Sequence, residues 1–114
     1  MKLVIIESPY AGDIQRNKTY ARAAVRDSLL RGESPFASHL LHTQPGVLDD
    51  QDSEQRKLGI EAGLAWGRVA ELTAVYADLG ISPGMLQGIQ RATDEGRQIE
   101  YRRLGGEWSR GASV

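Results

Sequence analysis

No cysteine occurs among the 114 residues, which excludes disulfides, thiolate metal sites and a cysteine nucleophile. A basic excess is missing too. The formal net charge is −1, whereas proteins that grip nucleic-acid polymers usually present a strongly basic face. No apolar run is long enough to cross a bilayer, and the first strand follows Met1 without the charged and apolar regions of a secretory leader. The expected location is the cytoplasm, with neither a membrane nor a nucleic-acid polymer as partner. Internal repeats and low-complexity segments are absent as well. What remains is an ordinary globular composition, 40% hydrophobic and 25% charged, in a chain long enough for one domain with its own core.

Leu3 to Ile6 is a short apolar run rich in β-branched residues, as in a central parallel strand covered on both faces. From Ile14 to Arg31 the pattern becomes helical, with Tyr20, Ala21, Ala24, Val25, Ser28 and Leu29 on one stripe, and Gly32 ends it. Ser34–Ala37 is a candidate strand that its proline confines to an edge. A helical turn at 38–42 and a polar loop at 43–52 precede a second helix over 53–70, whose expected buried face is Ala62, Ala65, Trp66, Val69 and Ala70. Then follow a strand at 72–77, a helix from Ser82 to Glu95 with Met85, Leu86, Ile89 and Ala92 inward, and an alternating edge strand from Gln98. Right-handed crossovers through this order predict a small doubly wound α/β sheet, strand order 2-1-3-4, with helices on both faces. The expected domain spans 1–104, with 105–114 as a flexible tail apart from Trp108.

In such a sheet the switch point falls between the first and third strands, and two turns open there. Glu7-Ser8-Pro9-Tyr10 leaves the first strand. Asp78 and Ser82-Pro83-Gly84-Met85 follow the third, with Ser82 as N-cap and Pro83 at the first helical position. Open α/β sheets bind ligands at this crevice, and a helix start suits an anion. Ser8 and nearby backbone N–H groups suit a phosphate or sugar hydroxyl, Tyr10 a stacked base, Asn17 a contact one turn into the helix, and Asp78 a ribose hydroxyl. His39 and His42 lie three apart and border this region. His39 is a candidate base or pocket residue, and the pair lacks a specific metal-ligand spacing. No cofactor or metal is expected. Arg102 and Arg103 read as edge-strand charges or as phosphate ligands to a neighbouring subunit.

The succession Ser8-Pro9-Tyr10, Asn17, Pro35 after Gly32, Gly63-Leu64-Ala65-Trp66, Asp78 and Ser82-Pro83-Gly84 resembles the nucleoside 2-deoxyribosyltransferase-like superfamily, in particular its small phage and bacterial members. The resemblance implies a flavodoxin-like sheet, homo-oligomers, and a pocket for a nucleoside, nucleotide or nucleotide-derived signal. It also implies N-glycosidic chemistry through a nucleophilic glutamate and a covalent sugar intermediate. The position matching that glutamate is Gly88, beside Gln87, so a carboxylate would have to come from elsewhere: Asp78, Glu7 or Glu61. Two functions follow as expectations: a nucleotide-binding protein, in a phage a sponge for a nucleotide or ADP-ribose-type immune signal, or an N-glycosidic-bond enzyme using Asp78 or Glu7. A protein-interaction module presenting Trp108 and Tyr101 is the third.

Overall fold

The computed structural model describes residues 1–108, so 109–114 of the expected tail lie outside the described residues. The elements are β1 (Leu3–Glu7), α1 (Ile14–Leu30), β2 (Ser34–Phe36), a short α2 (Ser38–Leu41), α3 (Ser53–Trp66) continued by a 3₁₀ turn (Gly67–Val69), β3 (Leu72–Tyr76), α4 (Pro83–Asp94) and β4 (Gln98–Arg102). All four strands are parallel, in the order β2-β1-β3-β4, as the alternation of strand and helix patterns predicts. Pro35 is tolerated because β2 is an edge strand, where a missing N–H costs no ladder bond on the open side.

β1 is bonded on both edges, and its alternating side chains serve two different faces. Val4 and Ile6 join Leu72, Ala74 and Tyr76 of β3 in a core against Tyr20 and Ala24 of α1. Ile5 and Glu7 point to the opposite face, where they line a cavity between α3 and α4. β3 is buried along its whole length. α1 ends as Gly32 predicts: the glycine has φ +83, Gly32 N–H donates to Leu29 O and Glu33 N–H to Ser28 O, a closure that satisfies two last-turn carbonyls.

Two helical faces differ from the sequence expectation. On α3, Trp66 is 60% exposed and Val69 just beyond it 59%, whereas the helix's one buried residue is Gly63. The helix packs through glycines spaced four apart. A Cβ on Gly63 would overlap Ser38 Oγ of α2, one on Gly59 would sit 3.2 Å from Leu48 Cδ1, and one on Gly67 would sit 3.0 Å from an Arg97 nitrogen. Close approach of backbone to neighbours, not apolar bulk, sets its orientation. On α4, Met85, Gly88 and Ala92 are buried, and Leu86 faces outward.

The far end of β4 carries a buried polar cluster rather than loose edge charges. Arg102 is 5% exposed. Its guanidinium donates to both Glu33 oxygens (2.9 and 2.7 Å), to Glu100 and to the Tyr76 hydroxyl (3.0 Å), and that hydroxyl donates to Asp27 at 2.7 Å. Burial pushes the Tyr76 hydroxyl up to about 12 against the pull of Arg102, while the Arg102 hydrogen bond holds Glu33 below the usual carboxylate range. Removing one member of such a cluster strands buried charge. Arg102→Ala is therefore expected to lower unfolding free energy by about 3 kcal/mol. Arg31→Ala, which breaks an exposed pair with Asp27, should cost less than about 1 kcal/mol. Urea unfolding of the two variants measures the contrast.

Candidate functional site

The two turns meet as the topology requires. Glu7, Ser8 and Tyr10 from the end of β1, His39 from α2, and Ser82, Gly84 and Met85 from the start of α4 line one cavity of about 260 Å³. Pro9 is buried behind the turn, and Asn17 and Asp78 are not among the lining residues. α4 opens as its sequence dictates: the Ser82 hydroxyl accepts from Met85 N–H at 3.3 Å, with Pro83 at the first position. Its first turn thus borders the cavity with a positive dipole end.

Glu7 is the most perturbed group in the cavity. Burial pushes its carboxyl up to about 8, against the lowering effect of the Arg97 charge. Arg97 does not bond it. That guanidinium donates instead to Thr73 Oγ1 at 2.9 Å, to the Gly67 carbonyl and to Glu95 at 2.8 Å. A Cβ on Gly88 would overlap the Glu7 carboxyl, so the carboxyl occupies the volume that any larger residue at 88 would claim. Ser8 Oγ lies 2.7 Å from His39 Nε2. Burial pushes the His39 imidazole down to about 4, so the ring is neutral at pH 7 and one hydrogen is shared between the two atoms. The cavity therefore presents, at neutral pH, a mainly protonated carboxyl, a neutral serine–histidine pair and a helix start.

Two of the sequence candidates support the site from outside its wall. Asn17 Nδ2 donates to the carbonyls of Tyr10 (2.8 Å) and Ala11 (3.0 Å), which pins the loop carrying Tyr10. The Asp78 carboxylate accepts from the Tyr20 hydroxyl, from Leu104 N–H at 2.8 Å and from Gly105 N–H at 3.0 Å. Burial would raise the Asp78 carboxyl, yet these donors together hold it below its ordinary range. Trp108 packs edge-on against Tyr20, ring centroids 5.0 Å apart. Asp78 thus ties the chain after β4 to α1.

Phe36, the α3 glycine face, Gln87, Gly88 and Arg97 also line the cavity, and none of them stands out as a lining residue in the sequence. The spacing of Gly59, Gly63 and Gly67 was nonetheless a readable signal for the second of these. Residues of the 43–52 loop, Thr43, Leu48 and Asp50, also border the cavity, with Gln55 and Arg56 of α3 beside them. Among the described residues no group of three or more histidines, aspartates or glutamates is placed to hold a metal ion, and no helix is long and apolar enough to cross a membrane.

The same fold occurs in solved structures of low sequence identity. The chain is similar to a 2-deoxyribosyltransferase from Bacillus psychrosaccharolyticus, with 18% identity and a TM-score of 0.63 over 92% of this chain and 74% of that one. It is also similar to the CMP N-glycosidase BcmB of Clostridium botulinum, with 14% identity and a TM-score of 0.52 over 98% and 80%. The chain belongs to the family described as Domain of unknown function (DUF7768), whose model matches residues 2–102. No match was found among curated proteins.

The two perturbed groups impose opposite pH dependences on stability. A carboxyl raised to about 8 contributes stability that is full below its unfolded value and is lost as pH rises toward 8. An imidazole lowered to about 4 contributes stability that is present above pH 6.5 and is lost as pH falls toward 4. Between pH 4.5 and 6.5 the two slopes oppose each other, leaving Glu7 alone from 6.5 to 8. Thermal or urea unfolding should show stability falling over that upper window. Glu7→Gln should abolish this fall and be more stable at pH 8, by an amount on the order of a few kcal/mol.

Proposed function

We propose that the cavity binds a nucleoside, a nucleotide or a nucleotide-derived signal. The observation that carries this reading is the convergence of the Ser8 turn, the His39 ring and the start of α4 on one cavity at the switch point of the sheet, where folds of this class take their ligands. The fold shared with a deoxyribosyltransferase and a CMP N-glycosidase supports the same ligand class. Tyr10 stacks on the base, Ser8 meets a sugar hydroxyl, and the first turn of α4 with Arg56 at the rim faces the anionic end. Asp78 and Asn17 serve this pocket by fixing the segments around it. In a phage such a pocket sequesters an immune signal of the nucleotide or ADP-ribose type within the host cytoplasm. A homo-oligomer is part of the reading: Leu58, Trp66 and Val69 leave apolar surface on and just beyond α3.

A second reading, cleavage or transfer at an N-glycosidic bond, is favoured by one observation. A carboxyl with a value near 8 faces the cavity at Glu7, and carboxyls tuned in this way are the usual agents of such chemistry. One experiment separates the two readings. Pure protein is incubated with a mixed panel of nucleosides, nucleotides and cyclic or ADP-ribose-type compounds and then filtered. The filtrate and the ligand released by heat are chromatographed. A compound that is retained and returns intact is the expected result. Free base plus sugar would establish the second reading instead, and no retained or altered compound at micromolar protein would refute both.

A further inference from the structure

Glu7 has no hydrogen-bond partner among the described residues, although it is partly buried and lies in the cavity wall. Carboxyls in such positions normally accept bonds from backbone or cationic donors. The nearest cation, Arg97, spends its hydrogens on Thr73, the Gly67 carbonyl and Glu95. Gly88, one turn into α4, leaves the space that the carboxyl fills. The unpartnered group therefore has its complement in the cavity.

Resting on the nucleotide reading above, we propose that Glu7 is the hydrogen-bond donor to a neutral acceptor of the ligand, a nucleobase ring nitrogen or carbonyl, and that Gly88 admits its carboxyl to that position. An anion is the wrong complement at this depth. Among the described residues no free cation adjoins the Glu7 carboxyl, and the N–H left without a partner in the first turn of α4, that of Gly84, lies a turn earlier. A neutral acid supplies one donor beside one acceptor, which matches an acceptor next to a donor on a base edge. Burial keeps the proton on the carboxyl at pH 7. The charged or titratable groups facing the same space are Arg97 with its partner Glu95, His39 of α2, Tyr10, and Asp50 and Arg56 at the rim. β3 and α4 contribute none to the lining.

The test uses the full chain and two readouts. Carbon-13 spectra of protein labelled at the glutamate carboxyls, with Glu7→Gln to assign the signal, follow the titration of Glu7 without ligand. Equilibrium dialysis with the four ribonucleosides and their 5′-monophosphates at pH 6.5 and 9 follows binding. The expected midpoint is near 8. In Gly88→Ala the new methyl meets only the flexible end of Glu7, so the fold survives, the carboxyl moves toward water and its midpoint falls. Wild-type affinity should be about ten-fold weaker at pH 9, the drop in protonated fraction that this midpoint implies. Glu7→Gln keeps an N–H donor and should show no such loss. A Glu7 midpoint in the ordinary carboxylate range, or the same pH dependence in wild type and Glu7→Gln, would overturn the inference and leave the nucleotide reading standing. A midpoint near 8 with no compound bound would overturn the nucleotide reading, and with it the ligand class assigned here.

Discussion

β1 is held by hydrogen bonds on both edges and covered on both faces, and the rest of the molecule is arranged around what its two faces require. One face presents Val4 and Ile6, which need apolar cover and receive it from α1. The other presents Ile5 and Glu7. Glu7, the last residue of β1, is paired with Val75 of β3 and lies beyond the residues that pair with β2, and its carboxyl needs open space above it on the cavity face. Gly88 leaves it. α3 and α4 therefore stand apart over this face and enclose a cavity instead of closing into a second dry layer.

The α1 side is cross-linked where the cavity side is open. Asp78 joins α1, the end of β3 and the segment after β4 through three donors, and Arg102 binds β4 to the α1–β2 connection through Glu33. Buried networks of this kind are costly when incomplete and rigid when satisfied. They fix the strands whose carboxyl ends form the cavity rim, while none of their charges enters the cavity. The same residue types thus do two kinds of work: Asp78 and Arg102 are paired within the protein, and Glu7 is left to be paired from outside.

The sheet was legible because its signals are local. Apolar β-branched runs, helix periods between them and Gly32 or Ser82-Pro83 at the boundaries leave few topologies once right-handed crossovers are required. The cavity was legible as a place, since a switch point follows from strand order alone. The partners of individual side chains were not. Asp78 reads as a ribose ligand until the backbone N–H groups of Leu104 and Gly105 are seen to occupy it, and nothing in a sequence marks a main-chain donor 26 residues away. α3 misled for a related reason. Its Ala and Trp period is real, but the helix packs on the glycine face, where the contact is made by the absence of side chains.

The proposed ligand lies over Glu7, between the Ser8–His39 pair and the first turn of α4. A crystal structure of the protein grown with an equimolar mixture of the four ribonucleoside 5′-monophosphates tests this most directly. The account predicts density for a nucleotide in this cavity, with a base nitrogen or carbonyl within hydrogen-bond distance of Glu7 and the phosphate toward Ser82 and Arg56. A nucleotide bound elsewhere on the surface, or one in the cavity with its phosphate against Glu7, would contradict it.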